Sequence, residues 1–213
     1  MIPQKIYTHD WEVDARLVHF GLTRAELIEV AEKTLVERSN TVDVDVASAA
    51  GHLAYIHGSR QLRILTTSKG YLLSREKNIE SSLNPKTGIK ILYQTVDTAC
   101  SNLRSPKAIS GKKSGSAAAI NRAQGSLFTP AEIPEAVSIE SIKSLDSALW
   151  YYCVSFEDDT FSAELSLPAS IQGDNFSGFF ERIFIVQGHQ IYKTPSKTTD
   201  SDYAEFEPKI IRK

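Results

Sequence analysis

The sequence predicts an α+β fold: N-terminal helices packed on an antiparallel β-sheet, with a long basic surface loop. Three observations carry this expectation. Apolar residues recur at helical spacing within residues 24–65, and β-branched and aromatic runs bounded by turn residues fill 79–96 and 148–192. A Ser-, Gly-, Ala- and Lys-rich stretch separates those two β-rich parts. One domain is expected over residues 1–213, with a helical part (1–70), a β-hairpin (71–97), the basic loop (98–131) and a mainly β part (132–213).

Residues 2–20 mix aromatic and apolar side chains with charges and suit a strand or a short helix. Thr23 and Glu26 then form a capping box, in which the hydroxyl covers an amide and the carboxylate reaches back. Leu27, Val30, Ala31, Thr34 and Leu35 fall on one helical face, opposite Glu29, Glu32, Lys33 and Glu37, which predicts a helix over 24–38. A second helix is expected over 45–65, with Asp43 or Asp45 at its N-terminus, where the helix dipole favours negative charge. Ala47, Ala50, Gly51, Ala54 and Gly58 make a small-residue stripe along it. A glycine inside a helix costs about 1 kcal/mol relative to alanine. Close approach of another backbone within the fold is the expected compensation, and a ligand or partner surface is the alternative.

Gly70 ends the helical pattern. The runs 79–83 and 89–96 flank Asn84-Pro85-Lys86-Thr87-Gly88, a hairpin in which Pro85 presets the turn and Gly88 supplies positive φ. Residues 101–126 read as a loop, and loops of that length are usually functional or disordered. Residues 117–124 suit a helix formed on contact, and 137–145 a short helix. The runs 149–156 and 160–167 around Glu157-Asp158-Asp159 predict a second hairpin. Residues 179–187 supply a further strand, with Gly188-His189 turning into Gln190-Ile191-Tyr192. The tail is polar and ends basic at Lys209, Arg212 and Lys213.

A hydrophobic share of 41% and a charged share of 23% exclude wholesale disorder. No apolar run approaches the ~18 residues of a membrane span. Polar residues follow soon after Met1-Ile2-Pro3, so no secretory signal is read and a cytoplasmic location is expected. Cys100 and Cys153 are too few for a disulfide framework, although one bond between them is compatible with the sequence. Net charge is only −2, but its distribution is uneven. Residues 98–130 contain no acid, while Arg104, Lys107, Lys112, Lys113 and Arg122 contribute +5. Residues 132–174 hold nine acids against Lys143 alone.

Candidate chemistry is sparse. Gly111-Lys112-Lys113-Ser114 lacks the first glycine that a phosphate loop requires. Flexible lysines still suit a polyanion without fixed geometry. Glu157, Asp158, Asp159 and Glu164 have the oxygen chemistry of a divalent-cation site, but acids at a hairpin tip point to different sides, and a turn favours Asp for backbone reasons. Glu207-Pro208-Lys209 mimics a nuclease Glu-x-Lys, yet the proline removes a ladder donor. His52 and His57 lie about 140° apart on the expected helix and would not share a metal. His9, His19 and His189 complete no motif. The aromatic cluster of Trp150, Tyr151, Tyr152, Phe156, Phe161, Phe176, Phe179, Phe180 and Phe184 reads as sheet core ahead of a base-stacking platform. Phe179 and Phe180 must face opposite sides, which leaves one of them available to a partner.

No cofactor or metal is therefore predicted. The leading expectation is a non-enzymatic accessory or binding subunit that engages nucleic acid, or a nucleic-acid-bound partner, through Arg104, Lys107, Lys112, Lys113 and Arg122. A protein–protein module, self-associating or part of a larger complex, is the second reading; it would use the small-residue stripe and the acidic segment. A hydrolase or nuclease whose site is dispersed along the chain is the third.

Overall fold

The computed structural model describes residues 4–76, 79–109, 149–172 and 175–191. In chain order these form β1 (Lys5–Tyr7), α1 (Asp10–Leu17), a 3-10 turn (Val18–Phe20), α2 (Arg24–Arg38) and α3 (Ala49–Ser68). The strands β2 (Leu72–Glu76), β3 (Ile79–Leu83), β4 (Lys90–Thr95), β5 (Leu149–Glu157) and β6 (Thr160–Pro168) follow. Two short strands, β7 (Ile171–Gln172) and β8 (Asn175–Phe176), precede the long β9 (Phe179–Gln190). The main sheet has seven strands in the order β1-β9-β6-β5-β4-β3-β2, and β7 and β8 pair separately.

The α+β class holds, but the sheet is mixed and not antiparallel throughout. β4 lies parallel to β5 over six residue pairs, from Lys90↔Leu149 to Thr95↔Val154, and β1 lies parallel to β9. The remaining pairings in the main sheet are antiparallel, including both expected hairpins, β3–β4 and β5–β6. Asn84 organises the first turn by accepting the Lys86 amide on its side chain, and Gly88 takes φ +77°.

The α2 capping box is present in both directions: the Thr23 hydroxyl accepts the Glu26 amide and the Glu26 carboxylate accepts the Thr23 amide. α3 begins later than expected. The Asp45 carboxylate accepts the Val42 amide at 2.9 Å in a turn of its own, and Ser48 stands at the N-cap. The helix then runs on to Ser68, because the buried Thr66 hydroxyl bridges the Leu62 carbonyl and Ser82 Oγ.

All three helices lie on one face of the sheet. Val13, Leu17, Leu27, Val30, Ala31, Leu35 and Leu62 pack there against Ile91, Tyr93, Trp150, Tyr152, Val154, Ala163, Leu165, Ile183 and Ile185. Polar ties fix the layer: Tyr152 Oη donates to the Leu27 carbonyl at 2.6 Å, Tyr71 Oη to the Phe20 carbonyl, and Arg16 of α1 pairs with Glu181 of β9. Of the small-residue stripe, Ala54 and Gly58 face inward, while Gly51 is exposed with open space around it. The close neighbour of Gly58 is the ring of Tyr93, not another backbone.

The opposite face carries a second apolar cluster of Leu92, Leu149, Tyr151, Cys153, Phe176, Phe179 and Phe184, covered in part by Val96, Ala99 and Cys100. The aromatic residues are thus core on both faces. Phe179 belongs to this second cluster, and Phe180, on the opposite side, is half-buried against the first. Among the described residues, no helix is long and apolar enough to cross a membrane. The helices expected over 117–124 and 137–145 lie outside the described residues, as does the polar tail.

Candidate functional site

The chain leaving β4 does not return along the sheet edge. It crosses the second face, bonding each strand in turn. The Ala99 amide donates to Ser155 Oγ on β5 at 3.0 Å, and the Cys100 amide donates to Glu164 Oε2 on β6 at 2.5 Å. The Cys100 thiol reaches the carbonyls of Ala163 at 3.1 Å and Val186 at 3.3 Å, where the β6–β9 register shifts. Cys100 adopts φ +56°, a left-handed conformation that non-glycine residues seldom take without surrounding restraint.

Beneath this crossing lies a buried ion pair. Arg182 Nε donates to Glu164 Oε1 at 2.8 Å and Arg182 Nη2 to Oε2 at 2.6 Å, with Glu164 0% and Arg182 1% exposed. Glu164 stands opposite Phe184 and Arg182 opposite Ser166, so the two are diagonal neighbours across β6 and β9. Ser166 Oγ donates to Oε1 at 2.7 Å, and the remaining Arg182 nitrogen, Nη1, donates to the Ser101 carbonyl at 2.8 Å. Glu164 is therefore part of no cation site. It is walled off from Glu157, Asp158 and Asp159, which occupy the exposed β5–β6 turn. Removing one partner of such a pair costs about 3–5 kcal/mol, because the other charge is left buried alone.

The far end of the excursion is tied back to β4. The Asp97 amide donates to the Lys107 carbonyl, the Lys107 amide donates to the Asp97 carboxylate, the Ile109 amide donates to the Thr95 carbonyl, and Val96 bridges Ala108. Residues 98–107 are thus a loop held at both ends. Ser101 Oγ accepts the Leu103 and Arg104 amides and shapes the tip, where Leu103 is 95% exposed. Of the five expected polyanion contacts, Arg104 and Lys107 sit here with exposed side chains, and among the described residues neither makes an ion pair. Lys112, Lys113 and Arg122 lie outside the described residues.

Burial, reinforced by the nearby Glu164 charge, pushes the Cys100 thiol well above its ordinary pKa. A reactive cysteine needs the opposite shift, so Cys100 is packing and not a nucleophile. Cys153 is likewise buried, and both are free thiols, so no disulfide joins them.

A second candidate is an open groove of about 660 Å³ lined by Glu32, Lys33, Val36, Glu37, Gln61, His189, Gln190 and Ile191. His189 Nε2 lies 2.9 Å from Glu32 Oε1, and His57 Nδ1 lies 3.7 Å from Glu37 Oε1. A histidine–carboxylate pair orients an imidazole, but among the described residues the groove brings no hydroxyl or thiol nucleophile to it. Among the described residues no three His, Cys, Asp or Glu side chains are grouped to hold a metal ion.

The sequence pointed to the loop but not to its root. A lone Glu in Phe161-Ser162-Ala163-Glu164-Leu165 and a lone Arg in Glu181-Arg182-Ile183-Phe184 are charges inside apolar strands, and charges so placed are rarely buried unless paired. That signal was available. No protein-family model matches the chain, and no curated protein or solved structure matches it.

Proposed function

We propose that this protein is a non-enzymatic accessory or binding subunit that engages nucleic acid, or a nucleic-acid-bound partner, through the basic segment rooted at residues 97–101. One observation carries the reading: among the described residues Arg104 and Lys107 are exposed on a tethered loop and make no ion pair, while Glu164 of the acid-rich segment is already occupied by Arg182. Exposed cations on such a loop gain by displacing the counterions condensed on a phosphate backbone. Lys112, Lys113 and Arg122 continue the same acid-free stretch and are proposed as further contacts.

Fluorescence anisotropy with labelled single-stranded DNA, duplex DNA and RNA tests this between about 50 and about 200 mM salt. Removing Arg104 and Lys107 together is expected to weaken binding and to flatten the duplex salt slope by about 1.8, two contacts' worth. Absence of binding at the lower salt, or a double variant indistinguishable from wild type, sinks the proposal.

A protein–protein module remains a second reading, on different residues. Of the small-residue stripe only Ala54 and Gly58 are buried, while Val42, Val44 and Val46 are exposed ahead of α3 and Tyr55, Ile56 and Ile64 are exposed on it. Exposed apolar side chains of this kind are candidates for a partner surface. Sedimentation of wild type against an Ile56→Ser/Ile64→Ser variant tests self-association; a wild-type monomer at every concentration removes that version.

A further inference from the structure

We propose that the Glu164–Arg182 pair is a latch that holds the basic loop in its binding-competent position; this rests on the polyanion reading above. β6 and β9 are already joined by their own backbone ladder, so the pair is not needed to hold them together. What it adds is directed outward. Glu164 accepts the Cys100 amide, and Arg182 spends its remaining nitrogen on the Ser101 carbonyl. Ser101 in turn caps Leu103 and Arg104. The chain of bonds therefore runs from the sheet interior to the first exposed cation within three residues of the root.

Buried ion pairs contribute little net stability compared with apolar residues of similar volume, and their best attested use is to specify one arrangement over others. Here the arrangement specified is the crossing of the second face. Cys100 is held there in a left-handed conformation, with its thiol on two carbonyls at a register shift. Arg182 and Glu164 thus act as positioning residues for Arg104 and Lys107 and touch no ligand themselves.

The test replaces the pair by apolar side chains, Glu164→Leu with Arg182→Met, and reads amide hydrogen exchange and nucleic-acid affinity together. The Asp97, Lys107 and Ile109 amides close the loop without touching the pair, and the Val96 amide, bonded to the Val154 carbonyl, serves as the sheet control. Protection of the three loop amides is expected to fall by at least about tenfold while Val96 is unchanged. Affinity is expected to fall as far as it does in Arg104→Ala/Lys107→Ala. Unchanged loop protection, or lost protection with unchanged affinity, overturns the latch. Should the double variant not fold, wild-type exchange decides: the Cys100 amide must open together with Asp97, Lys107 and Ile109 as denaturant rises, and independent opening overturns the latch. Failure of wild-type protein to bind any nucleic acid overturns the polyanion reading alone, and the exchange data still decide whether the pair fixes the loop.

Discussion

Gly58→Ala and Gly51→Ala make the same chemical change on one helix and are expected to have opposite signs. A Cβ built on Gly58 falls 2.3 Å from Tyr93 Cζ, 2.4 Å from Cε2 and 2.7 Å from Cε1. Carbon atoms rest about 3.5–4.0 Å apart, so the ring must retreat by roughly 1.2 Å or more. It has little room to do so. Tyr93 is 2% exposed and meets Tyr152 edge to face at 6.3 Å, and Tyr152 is itself anchored on the Leu27 carbonyl. Overpacking of this kind costs about 1–3 kcal/mol, and three simultaneous clashes place Gly58 at the upper end. Helix propensity returns about 1 kcal/mol, leaving a net loss of roughly 2 kcal/mol. A Cβ on Gly51 meets nothing within 4 Å, so there the propensity gain of up to about 0.8 kcal/mol stands alone. Urea unfolding followed by far-UV circular dichroism reads both, and Tyr93→Leu in the Gly58→Ala background should recover part of the loss through their coupling. A Gly58→Ala protein as stable as wild type, or a destabilised Gly51→Ala, refutes the argument.

Two further outcomes follow from titratable groups. The Lys69 ammonium, bonded to Glu26 at 2.6 Å, holds that carboxyl below its ordinary 4.5, with help from Thr23. Because the folded value is the lower one, the stabilisation is full above pH 4.5 and is lost as pH falls through the folded value. Glu26→Gln should flatten the acid limb of the Tm-against-pH curve, and parallel curves for the two proteins would contradict this. Cys100 has the reverse sign: its raised value means stability complete below the ordinary thiol pKa of 9.0 and lost as pH climbs toward the folded value. Native protein at mildly alkaline pH should leave both Cys100 and Cys153 unreactive toward a chromogenic disulfide reagent and release both on denaturation, whereas rapid labelling of either contradicts its burial.

Local structure was legible wherever the determinants lie close in sequence. Thr23 and Glu26 are three residues apart and mark the start of α2; Asn84 to Gly88 and Glu157 to Asp159 mark the two hairpin turns. The start of α3 was misplaced because Asp45 is good both at a helix N-terminus and in an Asx-type turn, and the turn at Val42 claimed it. The parallel pairings were not legible, since nothing in a strand's own alternation says which distant strand lies beside it. For the site, the acid-free stretch after residue 97 includes Arg104 and Lys107, whose side chains are exposed, while Lys112, Lys113 and Arg122 lie outside the described residues. The root was missed because Glu164 was weighed with its neighbours in sequence, while its real partners, Arg182 and Cys100, are 18 and 64 residues away.

The pairing of β1 with β9 has a consequence for how the chain assembles. Lys5 sits beside Glu181, so β1 cannot pair until β9 has been made. At about 5–20 residues per second that wait is roughly 10–35 s. During it, α1 has no Glu181 for Arg16 to grip, and the outer edge of the growing sheet stays open. Joining β1 to β9 is therefore a late step of folding, in which an early-made strand is laid along a late-made one.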